Sequence, residues 1–112
     1  MTPMARIRAE ETAVVYLYWA WSGQASVGRT RLLEALARLR DHPPFFELSC
    51  DQDAEAASWL AAECDRTDLS LHGGGHGTLL VSCFGSVIDW LDKVHLCEAG
   101  DLDRKLQQML SR

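Results

Sequence analysis

Apolar and polar positions along this chain change period several times, and each change marks an element. Residues 13–20 begin with an uncharged run, Ala13-Val-Val-Tyr-Leu-Tyr18, which suits a strand buried on both faces. From about residue 24 to 41 the period is helical. Leu32, Leu36 and Leu39 share one face, Leu33 and Ala37 widen it, and Glu34 precedes Arg38 by four residues on the outer face. Asp41-His42-Pro43-Pro44 ends that helix. Phe45–Cys50 predicts a second strand. Asp53 then caps a helix running to about Cys64, with Ala56, Trp59, Leu60 and Cys64 facing inward. Residues 65–77 contain His72-Gly-Gly-Gly-His76-Gly77 and predict a loop. Thr78–Phe84 predicts a third strand, Gly85-Ser86 a tight turn, and Val87–Val94 an antiparallel fourth strand. Asp101 caps a last helix with Leu102, Leu106, Met109 and Leu110 on one face.

This order, β-α-β-α-β-β-α, predicts an α/β fold: a four-stranded mixed sheet with helices on both faces. The first two strands are expected to be parallel with a right-handed crossover. Residues 1–11 are read as an N-terminal lead-in and 12–112 as one domain, which suits a length of 112 residues. Trp59 and Trp90 are read as packing residues.

A net charge of −5 argues against a nucleic-acid surface. No apolar run approaches the roughly 20 residues of a membrane span. MTPMARIRAEE carries charge without the apolar segment of a secretory leader, so the cytoplasm is the expected location. Cys50, Cys64, Cys83 and Cys97 form no C-x-x-C and no zinc spacing, and neither metal nor cofactor is expected. Cys50 and Cys83 are expected to point into packed layers, Cys64 to end a helix, and Cys97 to lie in a loop.

Chemistry is expected where the first strand passes into the first helix, because a helix N-terminus presents unpaired N–H groups. Gly23 to Thr30 reads as G-x-x-x-x-G-R-T, the spacing of a phosphate loop. Arg stands there for Lys, and no strand supplies a magnesium-holding Asp. Turn geometry and helix packing explain both glycines more simply. His72 and His76 are four apart, but in a loop rather than on one helix face. A Ser22–His76 nucleophile and base would lack an orienting acid.

Trp19-Ala20-Trp21-Ser22-Gly23-Gln24-Ala25 resembles the thioredoxin signature W-A-x-W-C-G-P-C. Asp51-Gln52 after the second strand, Thr78-Leu79-Leu80, Lys93-Val94 and Gly100 are similar to other features of that family. The resemblance spans about residues 13–111, with the front helix and strand of full-length thioredoxins largely missing. It places Ser22 at the attacking cysteine, Ala25 at the resolving cysteine and Gln24 at the intervening proline. Gly77 falls at the cis-proline, and Leu17 at a buried aspartate that assists proton transfer. Whether the bond before Gly77 is cis stays open.

Thiol–disulfide exchange needs a thiolate, so the resemblance implies a redox-inactive member. The expected function is a protein-interaction or scaffold module. Its surface comprises Trp19, Trp21, Ser22, Gly23, Gln24, Ala25, His76 and Gly77, and its partner is an unidentified protein. No catalytic residue, nucleic acid or membrane is expected; homodimerisation through a sheet edge or the motif face stays open. The alternatives are monothiol chemistry at Cys64 or Cys97, and unrelated chemistry at Ser22/His76 or Gly23–Thr30.

Overall fold

The uncharged run becomes one of the two inner strands of a sheet covered on both faces. The computed structural model describes residues 2–39, 41–63 and 77–111. In chain order the elements are α1 (Pro3–Ala9), β1 (Ala13–Tyr18), α2 (Gly23–Arg38), β2 (Phe45–Ser49) and α3 (Ala54–Glu63). They are followed by β3 (Thr78–Cys83), β4 (Ser86–Leu91), a 3-10 turn (Val94–Leu96) and α4 (Ala99–Leu110). The strands lie in the order β2-β1-β3-β4. β1 pairs parallel with β2 and antiparallel with β3, and β3 pairs antiparallel with β4.

Alternation along β1 divides the core. Val14 and Tyr16 join Leu79 and Val81 of β3 under α2 and α4, where Leu32, Leu36, Leu102, Leu106 and Met109 are buried. Val15 and Leu17 join Leu48 and Leu80 under α1 and α3, with Ile7, Ala57 and Leu60. A charge anywhere on β1 would enter one of these layers, which is why the run has none. Trp59 and Trp90 are half-buried against the second layer, as packing residues.

Several boundaries differ from expectation. Within residues 1–11, Pro3–Ala9 is a helix rather than a loose lead-in, so a front helix is present. Thr2 Oγ1 accepts the Ala5 N–H at 3.1 Å, and Pro3 opens the helix without leaving a donor unpaired. Ile7 is fully buried, the Arg6 guanidinium sits 5.4 Å from the Phe46 ring, and that of Arg8 sits 4.7 Å from the Trp59 ring. Second, the N-cap position of α4 is Glu98, without a side-chain capping bond, and not Asp101; Asp101 lies in its first turn, where the helix dipole favours a carboxylate. Third, β4 stops at Leu91. Lys93 adopts φ 55°, and the chain turns there into the 3-10 turn.

The β3–β4 turn falls one residue earlier than expected, at Phe84-Gly85, with φ of 48° and 86°. Ile88 is an extra residue in β4, since Val81 faces Asp89 and Ser82 faces Val87. A bulge on this edge, and Glu47 on β2 after Pro43-Pro44, both blunt strand-to-strand association. No described helix is long and apolar enough to cross a membrane.

Candidate functional site

β1 leaves the sheet at Tyr18, and the next residues build the helix start. The Ser22 N–H donates to the Trp19 carbonyl at 3.0 Å, and the Ser22 carbonyl accepts the Ser26 N–H at 3.1 Å. Ser22 Oγ accepts the Ala25 N–H at 3.1 Å, so Ser22 is the N-cap of α2. The residue is only 6% exposed. This is a structural use of a hydroxyl. Ser22→Ala is expected to cost about 1 kcal/mol in urea unfolding. His76, His72 and Cys64 lie outside the described residues, and with them the Ser22–His76 pair and the metal reading of the histidine loop.

Residues 23–30 are helical from Gly23 onward. A phosphate cradle needs these N–H groups splayed in a loop, so the phosphate-loop reading of Gly23–Thr30 is corrected. Gly28 serves helix packing instead. A Cβ there would lie 2.5 Å from the Tyr16 hydroxyl and 3.2 Å from the His95 backbone nitrogen.

Tyr16 is the residue that sequence reasoning missed. It is fully buried under the helix start, and its hydroxyl donates to the Ala25 carbonyl at 2.7 Å. A Cβ at Gly77 would fall 1.7 Å from that hydroxyl and 2.2 Å from Cζ. One aromatic side chain therefore excludes a side chain at both glycines. Burial, reinforced by Glu47 and opposed by Arg29, raises the Tyr16 pKa far above the ordinary tyrosine range. At neutral pH it is a fixed donor, not a base. The Gly77 carbonyl accepts the Val94 N–H at 3.2 Å. Arg31 of α2 donates to the His95 carbonyl and, at 2.8 Å, to that of Cys97. The start of α2, Gly77 and the 3-10 turn are thus tied together around Tyr16. Leu17, one residue on, is buried in the opposite layer.

The elements of this frame carry exposed apolar side chains. Trp21 is 68% exposed and Leu96 67%, and Val27 of α2 is exposed as well. Trp19 is half-buried against the α1/α3 layer, with its ring 6.0 Å from that of Trp21 at a tilt of 41°. Gly23 and Gln24 are exposed and Ala25 is buried. No described peptide bond is cis, and among the described residues no three His, Cys, Asp or Glu side chains group to hold a metal.

The cysteines depart from expectation in one place: Cys83, the last residue of β3, is exposed rather than packed, whereas Cys97 lies in the bend before α4, as expected, and is buried there. Cys50 is buried as expected, in the α1/α3 layer, whereas Cys97 belongs to the α2/α4 layer. Burial pushes the Cys50 thiol from 9.0 up to about 11; Asp51 adds to this and the Tyr18 backbone opposes it. Such a thiol is protonated and inert at neutral pH. Because its pKa is raised on folding, its contribution to stability is intact below about pH 9. It is lost as the pH climbs towards about 11. Tyr16 acts in the same sense at higher pH. Urea midpoints measured from pH 8 to 11 are expected to fall, and to fall less steeply in Cys50→Ala.

No family model matches the chain, and no curated protein matches it in sequence. Among solved structures it is similar to the thioredoxin of Fasciola hepatica, with a TM-score of 0.60. The sequences are 18% identical, over 95% of this chain and 88% of that one. Likeness at that identity concerns the backbone. With its four-stranded mixed sheet between two helical layers, the chain has a thioredoxin-like fold.

Proposed function

We propose that this protein is a redox-inactive, cytoplasmic thioredoxin-like module that holds a protein partner on the surface around Trp21. The observation that carries this reading is Trp21 itself, 68% exposed beside a helix start that is capped by a serine. Exchange chemistry at a helix N-terminus needs an attacking thiolate and a resolving thiol. Here Ser22 caps the helix and Ala25 is packed, so neither function has an atom to perform it. What the surface offers is a large exposed aromatic ring next to Trp19, on a frame held by Tyr16. Exposed aromatics on rigid frames are favoured anchors for protein partners.

The reading separates from thiol chemistry by experiment. The purified chain is expected not to accelerate the reduction of insulin disulfides by dithiothreitol above the rate of a protein-free control. A variant with all four cysteines changed to serine is expected to keep its partner. Insulin turnover, or loss of the partner with the cysteines, would contradict the proposal.

A further inference from the structure

Between α1 and the start of α3 lies a cleft of about 400 Å³, within the size range of small-molecule sites. Trp21 does not line it, so its use is independent of the surface proposed above. Its apolar lining includes Met4 and Trp59, both half-buried, and the buried Ala56. Three charged residues line the same cleft: Arg8 of α1, and Asp53 and Glu55 at the start of α3.

A guanidinium and carboxylates within reach of one another ordinarily pair. Here, among the described residues, no ion pair engages Arg8, Asp53 or Glu55. The Arg8 guanidinium lies 4.7 Å from the centre of the Trp59 ring, which engages its face and leaves its N–H edge open. Asp53 Oδ2 accepts the Ser49 N–H at 3.1 Å. Glu55 is exposed and has no partner among the described residues. The cleft thus presents separated charges of both signs beside an aromatic ring. We propose that it binds a small zwitterion with an apolar body, a free apolar α-amino acid or its dipeptide. The ligand carboxylate meets the N–H edge of Arg8, its ammonium meets Glu55 and Asp53, and its side chain covers Trp59 and Met4. A purely anionic or purely cationic ligand would satisfy one sign and meet like charge at the other. Because Arg8 and Asp53 are already held in place, little ordering is left for binding.

The 15N-labelled full chain is titrated with leucine and with leucyl-leucine. N-acetyl-leucine lacks the ammonium, leucinamide the carboxylate and glycine the apolar side chain, and these serve as controls. Leucine or leucyl-leucine is expected to shift the Trp59 indole N–H and the amides of Asp53, Glu55 and Ala56 saturably. The tighter of the two reports the spacing of the charges. Each control is expected to bind at least about tenfold more weakly. Glu55→Gln and Arg8→Ala are each expected to lower the affinity for the zwitterion about tenfold. Glu55 is exposed, so its substitution should leave the urea midpoint unchanged and separate a lost contact from a lost fold. Four results would overturn the proposal: no saturable shift with either zwitterion, shifts centred on Trp21, a control that binds as tightly, or unchanged affinity in either variant.

Discussion

Gly77→Ala is expected to destabilise the protein by about 3 kcal/mol in urea unfolding, the upper range for overpacking a core by one methyl group. The added Cβ would lie 1.7 Å from the Tyr16 hydroxyl and 2.6 Å from Cε1. A hydroxyl at the end of a side chain could often swing away. This one is anchored by the Ala25 carbonyl and closed in by Gly28, where a Cβ would again overlap it. Gly77 does not have a positive φ, so the backbone accepts alanine and the effect isolates the collision. The two sites should therefore couple. In a Tyr16→Val background the same substitution is expected to cost under about 1 kcal/mol, and the cycle should show coupling of about 2 kcal/mol. Additive costs would mean that the ring does not set the glycine requirement.

Ile7→Ala is the second large effect, with an expected loss of about 3 kcal/mol. Ile7 is the one fully buried residue of α1, and it packs with Val15, Leu17 and Leu80 beneath the sheet. Its loss leaves a cavity that a seven-residue helix cannot close, because Arg6 and Arg8 hold it against Phe46 and Trp59. A neutral Ile7→Ala in urea unfolding would mean that the N-terminal segment is the loose lead-in that its sequence suggests. Arg8→Ala is a milder probe of the same docking, worth under about 1 kcal/mol.

These two results mark where the sequence was legible and where it was not. The charge-free stretch of β1 and the leucine spacing of α2 follow directly from burial in a two-faced sheet, and they identify the architecture. α1 escaped because two helical turns with a single buried residue give no periodicity to detect. Thr2-Pro3 was its one available signal. Residue types favour Asp101 as the cap of α4, because aspartate is a better capping residue than glutamate. Packing of Leu102 and Leu106 sets the register instead.

At the site, the junction of Trp21, Ser22 and Gly23 could be read from residue types. Tyr16 could not, because its part depends on Gly28 and Gly77 meeting in space. The cysteines show the same limit. Cys83 sits at the end of β3, beside the turn, where burial ends. Cys97 is buried where Arg31 gathers the carbonyls of the 3-10 segment against α2.

The central claim is that the surface around Trp21 binds a partner without thiol chemistry. Its most direct test is partner capture from source-cell lysate with thiols blocked, quantified for the wild type, for Trp21→Ala and for the variant with all cysteines changed to serine. Elution is compared with and without reductant. Because Trp21 is exposed, its substitution should leave the unfolding midpoint unchanged while depleting the partner at least about tenfold. The cysteine-free variant should capture as much as the wild type, with reductant making no difference. A partner retained by Trp21→Ala, or one released only by reductant, would contradict the account.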